Sequence, residues 1–248
     1  MDFKNKFRIL IKINNSNMKK NSFEGFISRY NLGGEVESVK INSTDEGMSV
    51  SFISDDKTLL GSVQSENKEF PNGEFGIYTT SQLKGLLGVL DSSIEISEGE
   101  ASLVFSDKKT SVNYMLADLS VIPVVPDLKQ LPDFNGEITL DNEFISTFVK
   151  SKGALSESDT FTFSCKNNKG SVVLGYQKIN SNRISINVNC KCDGDIEPIS
   201  FSAKYLKEIL NANKGAKSSS LKVSSQGLAF ATFEKDGFTS NYYLVEIK

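Results

Sequence analysis

Three cysteines, paired carboxylates and clustered lysines are the side chains here whose types and spacing suggest chemistry. The 248 residues include no histidine and no tryptophan. Serine and cysteine triads built on histidine, and zinc sites that need it, are thereby excluded. Cys165, Cys190 and Cys192 are an odd number without the spacing of a disulfide framework, which points to free thiols in a reducing compartment. Cys190 and Cys192 lie two apart, so in a strand both face the same side, where a bridge between them has poor geometry. A metal site needs more ligands than these offer, so no metal is expected. Asp55-Asp56 has the composition of a glycosidase pair, but it sits in a predicted hairpin turn with nothing to form a cleft. Gly33-Gly34 and Gly85-x-x-Gly88 fall short of a phosphate loop. Neither catalysis nor a cofactor is expected.

Composition sets the frame for those side chains. Twenty-eight basic against 31 acidic residues give a net charge of −3, and the chain is 38% hydrophobic and 24% charged. That is a globular protein, long enough for one large domain or two smaller ones. No apolar run reaches the roughly 18 residues of a membrane span. Residues 1–17 are a basic extension carrying Lys4, Lys6, Arg8 and Lys12. Its apolar stretch is short and interrupted by charge, with no cleavage site after it, so secretion is rejected and a cytoplasmic location expected. Asn14-Asn15-Ser16-Asn17 reads as a linker, and Met18 offers an alternative start.

A helical signature recurs along the chain. Phe23, Phe26, Ile27 and Tyr30 occupy one helix face at i, i+3, i+4 and i+7, as do Leu83, Leu86, Leu87 and Leu90. Ile145, Phe148 and Val149 repeat the first three positions, as do Leu206, Ile209 and Leu210. The anchors lie 60, 62 and 61 residues apart. Ser22, Thr80 or Ser81, Asp141 and Ser202 are candidate N-caps. After each helix come three short strands bounded by turn residues: 36–41, 48–53 and 59–63; 93–96, 101–105 and 110–116; 160–165, 171–176 and 183–188; 221–224, 228–233 and 238–247. This spacing predicts antiparallel meanders. Asn113-Tyr114-Met115-Leu116 matches Asn241-Tyr242-Tyr243-Leu244, half a chain away. The expectation is an α+β protein of two similar domains, 18–116 and 136–248, each with two helices on meander sheets. Residues 117–135, with Pro123, Pro126 and Pro132, form the connector.

Each predicted helix is amphipathic, so one face covers sheet and the other is exposed. The exposed faces are rich in cations. Lys204 and Lys207 lead into Lys214 and Lys217; Lys84 lies on the second helix, Lys150 and Lys152 end the third, and Arg29 lies on the first. Many acids fall in turns instead. This distribution predicts a basic helical face on an acidic protein.

Four helix-plus-meander units with a proline-rich connector at mid-chain resemble a sliding clamp of DNA replication. That family includes proliferating cell nuclear antigen and the processivity factors of T-even-like bacteriophages. The phage type is the more similar in Gly76-Ile77-Tyr78, Gly85-Leu86-Leu87-Gly88-Val89-Leu90, Ile94-Glu95-Ile96-Ser97 and Asn241-Tyr242-Tyr243-Leu244-Val245. The resemblance implies a DNA clamp fold and a homotrimeric ring around double-stranded DNA, bound without regard to sequence. It implies as partners a DNA polymerase held for processivity and an ATP-dependent clamp loader, in the host cytoplasm if phage-encoded. On it, Lys84, Lys204 and Lys207, with Arg29, Lys150, Lys152, Lys214 and Lys217, would face DNA. Ile122, Val124, Val125 and Leu128, with Tyr243 and Val245, would receive a partner peptide. The rival reading is a non-enzymatic β-rich virion or surface module, which leaves the four spaced helices unexplained.

Overall fold

The computed structural model describes residues 16–128, 130–176 and 182–248. The first half runs β1 (Ser16–Lys19), α1 (Lys20–Asn31), β2 (Val39–Thr44), β3 (Gly47–Ile53), β4 (Leu59–Ser65), β5 (Gly73–Ile77), α2 (Thr80–Leu87), β6 (Ser93–Glu98), β7 (Ser102–Ser106) and β8 (Ser111–Met115). The second runs β9 (Gly136–Thr139), α3 (Asn142–Ala154), β10 (Thr160–Lys166), β11 (Lys169–Leu174), β12 (Ile184–Cys192), β13 (Ile196–Ser202), α4 (Ala203–Ala212), β14 (Ser218–Ser224), β15 (Leu228–Lys235) and β16 (Phe238–Val245). Element for element the halves repeat, giving the α+β architecture of two similar domains that the periodicity predicts. The charged part of the basic extension lies outside the described residues.

Ser16 and Asn17, the described part of the expected linker, are a correction: they open β1, antiparallel to β6, with Met18 buried opposite Ile94. Twelve strands pair in the order β13-β10-β11-β12-β9-β14-β15-β16-β4-β3-β2-β5, and four in the order β1-β6-β7-β8. Every pairing between these strands is antiparallel. The long sheet crosses from one half to the other where β16 pairs β4, from Phe238↔Ser65 to Leu244↔Leu59.

The apolar stripes are the core. Phe23, Phe26, Ile27 and Tyr30 are fully buried, as are Leu83, Leu87, Phe148, Leu206, Ile209 and Leu210. Asp141 and Ser202 cap α3 and α4, accepting from the amides of Phe144 and Tyr205. The other two expected caps differ. No side chain caps α1; at α2 the Glu37 carboxylate accepts from the Ser81 amide at 2.8 Å. A carboxylate there also suits the positive end of the helix dipole. Lys20 serves the opposite end of α2, its Nζ donating to the carbonyls of Leu87 and Leu90. Gly33 adopts φ +73° just after α1, and a Cβ there would meet the Glu208 carboxylate of α4 at 3.0 Å. Gly33 therefore serves a turn against a neighbouring helix.

Candidate functional site

The helices form one contiguous row, α2 against α1, α1 against α4, and α4 against α3. They carry seven basic and three acidic side chains, on a chain whose net charge is −3. Lys150 and Lys204 are exposed, and Lys84, Lys152 and Lys207 partly so. Lys214 and Lys217 are exposed in the loop after α4. The face is basic but not purely so. Lys204 reaches Glu35 at 2.7 Å, Lys207 reaches Glu208 at 3.0 Å, and Lys84 donates to Asn31 at 3.4 Å. In both ion pairs the lysine is more exposed than its glutamate, and pairs this close to solvent contribute little, about 0–1 kcal/mol.

Arg29 is a correction. It is only 5% exposed, with its guanidinium 4.2 Å from the centre of the Phe238 ring and Nη1 donating to Gly25 O. Burial lowers its pKa, opposed by the charges of Tyr242 and Asp236. Phe238 belongs to β16, so Arg29 joins the halves instead of meeting solvent. Beside it, Tyr242 donates to Arg29 O at 2.9 Å and accepts from Asn213 Nδ2 at 2.9 Å. Gly61, opposite Tyr242 in the register, leaves room here, since a Cβ would fall 2.2 Å from the Phe52 ring. The sequence did not disclose this junction because its members lie some two hundred residues apart.

The opposite face of the sheet carries the other candidate surface. Tyr242 and Leu244 point to the helices, so Tyr243, between them, points away. Its ring stacks on Phe230 at 4.7 Å, and Phe230 meets Phe134 at 6.0 Å. The connector is anchored at one end by Gly76↔Ala117 and at the other by the Asn135 amide on Val223 O. Between these anchors Val124 is 90% exposed and Leu128 is exposed, while Val125 is half-buried. Ile122 is a second correction, being buried on its own chain and closed to any partner. Leu119, Val121 and Leu131 are exposed apolar side chains of the same segment that the sequence reading missed. Their signal was apolar residues among prolines, outside any strand alternation. Val245 is exposed at the end of β16.

Asp56 is a turn residue. Partial burial would raise its pKa, but hydrogen bonds from Ser54 and Thr58 outweigh that and hold it low. The cysteines depart from expectation. Cys165 and Cys192 are bonded, and Cys190 is free, with its Sγ 2.8 Å from that of Cys192. Cys190 and Cys192 do share a face of β12. Among the described residues no helix is long and apolar enough to cross a membrane.

No protein-family model matches the sequence, and no curated protein matches it. Solved structures do. The proliferating cellular nuclear antigen of Entamoeba histolytica is 17% identical, with a TM-score of 0.73, over 94% of this chain and 98% of that one. A structure of the C-terminal region of FEN-1 bound to A. fulgidus PCNA matches at 15% identity and a TM-score of 0.71, over 94% and 98%. The chain thus has the fold of proliferating cell nuclear antigen, over nearly its whole length and across both halves.

Proposed function

We propose that this protein is a sliding clamp: three copies close head to tail into a ring that encircles duplex DNA and tethers a DNA polymerase. An ATP-dependent loader opens the ring. The observation that carries this reading is a pair of complementary open strand edges. Among the described residues the outer edge of β8 is unpaired in its sheet, and β12 pairs β9 only through Cys190–Cys192, leaving residues 184–189 open on that side. In the internal repeat β8 corresponds to β16, and β12 to β4. The chain already pairs β16 with β4 inside itself, so β8 of one copy pairs β12 of the next by the same rule. A heterologous contact of this kind closes into a ring when its rotation permits.

The internal junction also suggests a register for the proposed contact. Aligning Asn113-Tyr114 with Asn241-Tyr242, and the β11·β12 pairing with that of β3·β4, places Val112 opposite Ile186 and Tyr114 opposite Ile184. All four side chains then point to the helix side, which is what a seam with a continuous core requires. The helix row continues likewise, α2 of one copy meeting α3 of the next.

Weak contacts suffice in such a device. Lysines alone give non-specific DNA dissociation constants of about 10⁻⁴ to 10⁻⁶ M. A closed ring leaves only by opening or by reaching an end, and a tethered enzyme rebinds at high effective concentration. Lys84, Lys204 and Lys207 are the inner-wall candidates, supported by Lys150, Lys152, Lys214 and Lys217. The exposed connector side chains and the Tyr243 face receive the partner peptide. The neighbouring structure with a bound FEN-1 segment supports protein tethering in general. The test is retention of the loaded protein on circular DNA and its loss when the circle is cut. Equal retention on both forms refutes encirclement. Lys84→Glu with Lys204→Glu and Lys207→Glu should impair loading while leaving the oligomer intact.

A further inference from the structure

Cys165, Cys190 and Cys192 bring three sulfur atoms within 4.8 Å of one another. Cys165 is on β10 and the other two are on β12, with β11 between these strands. Residues two strands apart are ordinarily about 9.6 Å apart, twice the inter-strand spacing. Here the Cα atoms of Cys165 and Cys192 are 6.9 Å apart.

Two glycines make the room. Gly170, paired with Cys165, has no side chain; a Cβ there would lie 2.8 Å from Cys190 Cβ and 2.7 Å from Val188 Cγ2. Gly136 is paired with Cys192, and a Cβ there would lie 2.8 Å from Ile196 Cδ1. Cys190 thus lies in space that Gly170 leaves open, and Gly136 makes room for Ile196 and Phe163 beside Cys192. The disulfide uses two of these sulfurs and gives the third no role, although Cys190 Sγ lies 2.8 Å from Cys192 Sγ.

Four-coordinate zinc binds thiolate at about 2.3 Å, which puts its sulfurs about 3.8 Å apart. That spacing lies within the reach of these three side chains once no sulfur–sulfur bond holds them. We propose that the reduced chain binds one thiophilic d¹⁰ cation, zinc in the first instance, through the thiolates of Cys165, Cys190 and Cys192. The fourth position is left to water on the side of Cys192, which is partly exposed. An open cleft of about 720 Å³, lined by Cys190 and Cys192 with Asn168 and Asp193, provides an entry path. The chain has no histidine, and among the described residues no carboxylate joins the sulfur group. Soft sulfur donors alone select zinc over calcium or magnesium.

The chemistry balances in two steps. A phosphine or dithiol donates two electrons, and two protons complete the reduction of the Cys165–Cys192 bond to two thiols. Zinc(II) then displaces three protons from the three thiols, giving a tris-thiolate complex of net charge −1. The disulfide and the metal exclude each other, because they compete for the same sulfurs.

The experiment uses the full chain, reduced with a phosphine. Zinc is titrated against a chromophoric chelator, and cobalt(II) serves as a spectroscopic probe. The expected result is one zinc per chain, sulfur-to-cobalt charge-transfer bands, and three thiols protected from alkylation. Cys190→Ser keeps the other two sulfurs, and circular dichroism checks its fold; it should lose stoichiometric zinc and the cobalt bands. Failure of the reduced chain to bind zinc, or binding by Cys190→Ser equal to that of the unaltered chain, overturns the proposal.

Discussion

The proposed seam between copies would be broken by one side chain, and the proposed register says which. Ile186 is half-buried in the single chain and would become enclosed opposite Val112. Fully burying an isoleucine is worth about 1.5–3 kcal/mol, of which roughly half remains to be gained at the seam. Ile186→Glu forfeits that and places a carboxylate with no partner in an apolar contact. An uncompensated charge of that kind costs about 3–5 kcal/mol. The combined loss is about 4–6 kcal/mol per seam, or roughly three to four decades in dissociation constant. The isolated chain should tolerate the change, since Ile186 retains access to water there. Asn187→Glu is the matched control, because it lies on the other face of β12 and is exposed already. Sedimentation velocity across a concentration series reads the outcome. The expected result is a trimer for the unaltered chain and Asn187→Glu, and a folded monomer for Ile186→Glu. Dissociation by Asn187→Glu with an intact Ile186→Glu oligomer would mean a register slipped by one residue. An unchanged mass for both would remove β12 from the seam.

Val124→Glu acts on the opposite face. At 90% exposure the residue supports little of the fold, so stability should move by less than about 0.5 kcal/mol in a thermal melt. Stimulation of the polymerase should nevertheless fall, and full stimulation would exclude Val124 from the partner surface. At the junction, Tyr242→Phe keeps the ring but removes the donor to Arg29 O and the acceptor for one Asn213 Nδ2 hydrogen, while the bond from that nitrogen to Ile209 O remains; denaturant unfolding should show a loss of about 1–3 kcal/mol. Unchanged stability would mean those hydrogen bonds contribute nothing. Burial raises the Tyr242 pKa from 10.0 to about 12, eased by the hydrogen bond from Asn213 and the charge of Arg29. The neutral phenol is favoured by folding, so its contribution is complete below pH 10 and lost as pH rises from 10 towards 12. Alkaline unfolding in that window should become less steep in Tyr242→Phe.

The helices were legible because a 3.6-residue period needs only local spacing, and burying that stripe is what stabilises each of them. The strands the sequence reading missed are short or atypical. β1 is polar, β5 is opened by Gly73 and Gly76, β9 has four residues, and β13 carries Pro198. Proline is tolerated there because β13 is an edge strand. Side-chain roles set by distant partners were not legible. Arg29 has the spacing of an exposed helix cation, and only the arrival of Phe238 from β16 turns it inward. The sequence pattern shows three isolated thiols because the strands that bring them together, β10 and β12, are non-adjacent, with side-chain-free Gly170 of β11 between them.

Loss of Arg29 from the exposed set, and the pairing of Lys204 and Lys207 with glutamates, bear on how such a face would work. A surface built for tight binding would keep its cations unpaired and crowded. Here Lys84, Lys204 and Lys207 each have an acid or amide close enough to take the lysine back once a phosphate moves on. Such exchange would lower the residence time at any one position on a duplex and smooth the path along it. Retention would then rest on closure, and closure on whether β8 of one copy meets β12 of another as β16 meets β4 within one chain. Added salt should accordingly weaken loading, where unclosed protein must find DNA through charge, much more than it shortens the lifetime of closed rings on a circle. Lifetimes on circular DNA that fall with salt as steeply as those on linear DNA would show that charge, not closure, does the holding.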